Sequence, residues 1–130
     1  MEKREYTRLS TDISACIFLC EGEEIGATIL NVSEEGFKCL IKKPDYEKIK
    51  PINVGDYITI QFIDTVSSLK KQTDYILSCT ARIRHIESDA VSFVFGCKTN
   101  SQEFYNYVSH KKCARYFLMY QSNKIGKRSR

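Results

Sequence analysis

The 130-residue sequence lacks any apolar run close to the roughly 18 residues that a membrane-spanning helix needs. Its charged start, Met1 to Glu5, is not followed by the apolar segment that a signal peptide contains. We therefore expect a cytoplasmic protein with no transmembrane segment.

Histidine is scarce, and the cysteines are not closely spaced. His85 and His110 are the only histidines, and neither lies in a nucleophile or metal-binding motif, so we predict neither an enzyme nor a metal site. Cys16 and Cys20 would lie about 13 Å apart on one face of a strand at ~3.3 Å per residue, too far to bind one metal ion. We predict that all the cysteines are reduced thiols in the core: Cys16, Cys20, Cys39, Cys79, Cys97 and Cys113.

Length and charge favour a single domain that is only mildly basic. An apolar content of 42% is enough for one packed core and little more. The formal net charge is +4, which suits an anionic ligand without requiring a polymer. Without the four basic residues of the C-terminal end the chain has no net formal charge, so the composition is weak evidence for a nucleic-acid-binding face: Lys124, Lys127, Arg128 and Arg130.

Alternating apolar and polar residues predict strands along most of the chain. These segments are residues 13–20, 25–32, 37–42, 57–63, 75–86 and 91–95. Both prolines lie in a polar connection over residues 44–54, and residues 64–73 are predicted to be an exposed loop. Several strands at this spacing, with turn residues between them, favour a mainly β protein with a small closed barrel over a βαβ sheet.

A helix is predicted after the last strand. Ser101 is a suitable N-cap, Glu103 is acidic in the first turn, and no Gly or Pro follows as far as Tyr120. We therefore predict a flexible N-terminal arm over residues 1–10, a barrel with its helix over residues 11–120, and a disordered basic tail over residues 121–130.

Two polar elements have side chains suited to binding a guanine-bearing anion. Arg4 and Arg8 form an Arg-x-x-x-Arg element in the arm. The planar donor fork of arginine binds phosphate, stacks on a base, or donates to O6 and N7 of guanine.

The second element is Asn-x-Ser-x-x-Gly over residues 31–36, at the predicted tip of a hairpin. Asn31 and Ser33 offer oxygens that can accept hydrogen bonds from N1 and N2 of guanine. Gly36 allows a positive φ in the turn and a close approach of the backbone to a ligand. The same composition is also common in an ordinary hairpin connection.

Together, these two elements and the strand pattern around them resemble the PilZ family of cyclic di-GMP receptors. The resemblance implies a six-stranded antiparallel barrel with a C-terminal helix, no cofactor, and an N-terminal arm that changes conformation on binding and signals to a partner protein. It also implies that five residues bind cyclic di-GMP: Arg4, Arg8, Asn31, Ser33 and Gly36. Asn31 takes the place of the alternative Asp, and the residue before the first arginine, Lys3, leaves open whether one ligand molecule or a stacked pair is bound.

A second function remains open at this point. A small basic barrel with eight tyrosines and seven phenylalanines can bind single-stranded nucleic acid by stacking, with residues 82–85 forming the groove. We interpret Arg82 and Arg84 as part of a solvated strand face rather than a groove, and we expect no nucleic-acid partner.

Overall fold

The computed structural model describes residues 7–19, 22–69 and 71–128, and this part of the chain contains six strands and two helices. Their bounds are β1 (Leu9–Phe18), β2 (Glu24–Ser33), β3 (Gly36–Lys42), α1 (Lys43–Tyr46), β4 (Tyr57–Ser68), β5 (Lys71–Ser88), β6 (Ser92–Lys98) and α2 (Gln102–Arg128). Lys3, Arg4 and Cys20, which we singled out from the sequence, lie outside the described residues.

The strands form a closed antiparallel barrel in the order β1-β2-β3-β6-β5-β4. The ring closes where β1 pairs with β4, from Ala15 opposite Phe62 to Phe18 opposite Thr59. Alternate residues point inward because successive side chains of a strand lie on opposite faces, and the inward set includes the fully buried Ile17 and Ile60. The predicted mainly β barrel with a C-terminal helix is confirmed.

The prediction of a loop over residues 64–73 was wrong. Strands β4 and β5 stay paired through this segment as far as Ser68 opposite Lys71. Of the described residues in this segment, only Val66 is buried, so apolar residues do not alternate with polar ones although the strands are extended. Other bounds also differ from the sequence prediction: β1 begins earlier, at Leu9, β6 ends later, at Lys98, and α2 extends to Arg128, past the end predicted near Tyr120. The division into arm, barrel and tail otherwise stays a prediction.

The cysteine prediction is confirmed for three thiols. Cys39, Cys79 and Cys97 are buried and free, whereas Cys113 is exposed on α2. Burial raises the pKa of Cys79 to about 11, which keeps this thiol protonated at neutral pH. Among the helices of the described ranges, none has the length and apolar character to span a membrane.

Helix α2 is bonded to the barrel through Asp64 of β4. One carboxylate oxygen of Asp64, Oδ2, accepts a hydrogen bond from the buried Tyr107 hydroxyl at 2.6 Å and another from Lys111 Nζ at 2.5 Å. Burial by itself raises the pKa of Asp64, but the bonds from Lys111 and Tyr107 outweigh it and hold that pKa below its ordinary value. Burial, together with the bond to Asp64, raises the pKa of Tyr107.

We predict that Asp64→Asn lowers the free energy of unfolding by about 1–3 kcal/mol at neutral pH, because Lys111 and Tyr107 lose a charged acceptor. A carboxyl whose folded pKa lies below its ordinary 3.8 stabilises the protein fully above that value, and the contribution is lost as the pH falls through the folded pKa. Urea unfolding at neutral pH and at about pH 2.5 should therefore show a difference between wild type and variant that shrinks in acid.

Asp74→Asn is the matched control on the same hairpin. Asp74 is exposed and accepts a hydrogen bond only from the hydroxyl of Thr65 among the contacts that the structure describes, at 2.8 Å. This change should alter stability by less than about 0.5 kcal/mol. An Asp64→Asn effect that is equally large in acid would contradict the account.

Candidate functional site

The Asn-x-Ser-x-x-Gly element lies at the end of a hairpin, as predicted, but its polar residues belong to strands. Asn31 and Ser33 are the last two polar residues of β2. Gly36 is the first residue of β3 and lies directly opposite Ser33. Only Glu34 and Glu35 form the turn. Ser33 is buried and Asn31 is half-buried, so both are held in a fixed backbone frame.

Arg8 contacts this element directly. Its Nη1 donates a hydrogen bond to Oδ1 of Asn31 at 2.9 Å. The contact arises because β1 pairs with β2 from its first residues, with Leu9 opposite Val32 and Ser10 opposite Asn31. Asn31 Oδ1 has two lone pairs, so it can accept a second hydrogen bond while Arg8 is bound.

A bulge lies next to Asn31 in the pairing of β2 with each of its two neighbouring strands. The register of β1 and β2 shifts between Ser10 and Ile13, and the register of β2 and β3 shifts between Ile29 and Asn31. A bulge bends the strand and changes the direction of its side chains, and such bulges are common next to binding sites. The sequence gives no sign of them.

The positive φ that we expected for Gly36 was wrong, whereas its role beside a ligand stays a prediction. Its φ is not positive, and the glycines with positive φ in the described ranges are Gly22 and Gly55. A Cβ on Gly36 would instead lie 2.0 Å from the carbonyl oxygen of Cys97 on β6. Gly36 is therefore required by the close approach of the protein's own backbone, and not by turn geometry.

A polar cavity of about 270 Å³ opens beside this element. It brings together three residues predicted from the sequence, Arg8, Ser33 and Gly36. It is also lined by residues of the turn, β5 and β6 that the sequence analysis did not assign to the site: Glu35, Arg84, His85, Gly96, Cys97 and Lys98.

Alternation places Arg84 on the outer face, but it predicts an inward His85, and a bulge changes the direction of that residue. Strands β5 and β6 pair Ile83 with Cys97 and His85 with Gly96, which leaves Arg84 as an extra residue. The bulge lets both Arg84 and His85 line the cavity. His85 lies directly over Gly96, where a Cβ would be 2.1 Å from the imidazole Cε1.

The turn itself is bonded to its surroundings. Glu34 accepts a hydrogen bond from Lys112 of α2 in a largely buried ion pair. The carbonyl oxygen of Glu35 accepts a bond from the backbone N–H of Thr99 at 3.0 Å. These contacts hold the turn in place from two directions.

The described residues offer no candidate site for a metal ion. Within residues 7–19, 22–69 and 71–128, no group of three or more His, Cys, Asp or Glu side chains is arranged to hold a metal ion. The chemistry that the cavity offers is that of three cations, one carboxylate and a hydroxyl.

A family model for the PilZ domain matches residues 2–107, which include all the barrel strands and the first turns of α2. The chain belongs to the PilZ domain family. The resemblance inferred from the two polar elements is thereby confirmed. No curated protein matches the sequence significantly.

Solved structures of PilZ proteins share this fold. The PilZ domain of YcgR from Escherichia coli, solved with c-di-GMP, superposes with a TM-score of 0.63 at 13% identity, over 95% of this chain and 99% of that one. YcgR in complex with c-di-GMP gives 0.59 at 12%, over 99% and 51%. The Bacillus subtilis inhibitor of motility MotI/DgrA gives 0.58 at 16%, over 95% and 54%. This PilZ domain therefore spans about half the length of the last two chains.

We predict that Gly36→Ala destabilises this PilZ domain by about 1–3 kcal/mol, because the added methyl group meets the Cys97 carbonyl and overpacks the β3–β6 pair. Thermal unfolding measures the change. Gly26→Ala on β2 is the control, since a Cβ there meets nothing within 4 Å. Equal unfolding temperatures for the two variants would contradict the close-approach explanation of Gly36.

Proposed function

We propose that this PilZ domain is a receptor for cyclic di-GMP, which binds in the cavity beside Arg8 and residues 31–36. The observation that carries the proposal is the hydrogen bond of 2.9 Å between Arg8 and Asn31, which joins the two polar elements at one place. The YcgR PilZ domain, which was solved with c-di-GMP, has the same fold and supports this assignment.

The side chains of the cavity match the chemistry of such a ligand. Arg8, Arg84 and Lys98 offset the two negative charges of its phosphates, and the arginines can also stack on a guanine. The Glu35 carboxylate and the Ser33 hydroxyl can accept from the N1 and N2 donors of guanine. The amide oxygen of Asn31 does not line the cavity but lies beside it, bonded to Arg8, and can accept as well. Adenine lacks this pair of donors, so the acceptors favour guanine.

Binding should depend on the arginine pair. We expect Arg8→Ala and Arg4→Ala each to weaken cyclic di-GMP binding about ten- to hundredfold, because each removes charge-assisted bonds worth roughly 1.5–3 kcal/mol. Isothermal titration calorimetry measures the affinity. Arg115→Ala on α2 is the control, since Arg115 is exposed and does not line the cavity. Wild-type affinity in Arg8→Ala would rule out the site.

The proposal extends to a change in the N-terminal arm that is passed to a partner protein. Residues 1–8 are mostly polar, and ordering each backbone residue costs about 1–2 kcal/mol, so this part of the arm gains little from packing alone, whereas Leu9 and Ser10 already pair with β2. A dianionic ligand held by Asn31 and Ser33 supplies a shared counter-charge for Arg4 and Arg8.

Amide hydrogen exchange tests this part separately from binding. With saturating cyclic di-GMP, protection should increase at residues 3–9 and around residues 31–36, because the ligand draws the two arginines together. The amides of the buried β4 core, such as Ile60, serve as the internal control and should not change. An arm that is protected to the same degree with and without ligand would exclude the switch while leaving the receptor function intact.

A further inference from the structure

A second polar cavity adjoins the candidate site on the outer face of β4, β5 and β6. Its volume is about 480 Å³, and it shares Arg84 and Lys98 with the first cavity. Its other exposed lining residues include Tyr57, Arg82 and Asn100. The two cavities are therefore one continuous surface with the shared cations between them.

One cross-strand row connects the motif glycine to Tyr57. Gly36 of β3 lies opposite Lys98 of β6, Lys98 lies opposite Arg82 of β5, and Arg82 lies opposite Tyr57 of β4. At ~4.8 Å between neighbouring strands, the row spans about 14 Å. A ligand that begins at Gly36 and is longer than one nucleotide can continue along this row.

The row carries positive charge that the described part of the protein does not neutralise. Arg82 and Lys98 are directly opposed on neighbouring strands, which is unfavourable for like charges. No carboxylate lines this cavity, and none of the described acidic side chains forms an ion pair with Arg82, Arg84 or Lys98. An anion placed here would remove that repulsion.

Tyr57 and Arg82 pair beside these charges, and we call this pair the platform. The Arg82 guanidinium lies over the Tyr57 ring at 5.9 Å from its centroid, and the Tyr57 side chain is 58% exposed. An exposed aromatic ring next to an arginine plane is a surface on which a nucleobase can stack.

The hydroxyl groups of Thr99 and Ser101, at the rim of this cavity, are already bonded within the protein, and we do not assign them to a ligand. Thr99 Oγ1 donates to the carbonyl oxygen of Thr80 at 2.8 Å, and Ser101 Oγ accepts from the Phe104 N–H at 3.2 Å to cap α2. The platform and the cations are therefore the groups of this cavity that are available to a ligand.

The first cavity is the smaller of the two, at about 270 Å³ against about 480 Å³. We propose that it holds one guanine with its phosphate, and that the Tyr57–Arg82 platform binds the second guanine and its phosphate. This inference rests on the proposed function and assigns Tyr57 and Arg82 as further binding residues.

Calorimetric titration of the full chain with cyclic di-GMP tests the platform. Arg82→Gln should weaken binding about tenfold through the loss of a charge-assisted phosphate contact, and Tyr57→Leu about fivefold through the loss of stacking. Arg115→Gln and Tyr116→Leu are the matched controls, since both residues are exposed on α2 outside the two cavities and should keep wild-type affinity.

The outcomes separate the two proposals. Absence of binding to the wild-type protein would overturn the receptor function itself. Wild-type binding with unchanged affinity in Arg82→Gln and Tyr57→Leu would overturn the platform alone, as would an equal loss in Arg115→Gln. The wild-type protein gives an independent readout: backbone amide resonances of residues 80–84 and 98–100 should shift on saturation, and unshifted resonances would also overturn the platform.

Discussion

No side chain fits between Gly36 and the carbonyl oxygen of Cys97, and the arrangement of the site depends on this close approach. It lets β3 pair with β6 from its first residue, so the turn after Ser33 lies against β6. Lys98 and the bulged Arg84 are thereby brought beside Arg8 and the motif. A larger residue at position 36 would separate the acceptors of β2 from the cations of β5 and β6.

The described part of the candidate site is held together by its own contacts. Asn31 is bonded to Arg8, and the turn is bonded to α2 through Glu34 and Lys112. A surface that is already ordered loses little conformational freedom on binding, which favours affinity. The long helix contributes to this order because Tyr107 and Lys111 bond it to Asp64 of the barrel.

The sequence predicted the features that depend on local patterns. Alternation identified the inward residues of the strands, and the spacing of Asn31, Ser33 and Gly36 identified the hairpin end. Features that depend on pairing between distant segments were not predictable in the same way. The bulge at Arg84 interrupts alternation without any compositional sign. The paired residues 64–68 and 71–73 have too few apolar side chains to show a period. The reason for Gly36 is the Cys97 carbonyl on β6, 61 residues away in the chain. Those pairings determine which cations line the cavity.

The central claim is that a guanine dinucleotide, and not a nucleic-acid strand, occupies this basic surface. Parallel calorimetric titrations of the wild-type protein with cyclic di-GMP, linear GMP and a short single-stranded oligonucleotide test it most directly. We predict saturable binding of cyclic di-GMP that is at least about tenfold tighter than that of GMP, because the protein contacts both nucleotides of cyclic di-GMP and only one in GMP. The oligonucleotide should bind only weakly and with a strong dependence on salt, as expected for phosphate contacts alone. Tight oligonucleotide binding together with no heat from cyclic di-GMP would contradict it.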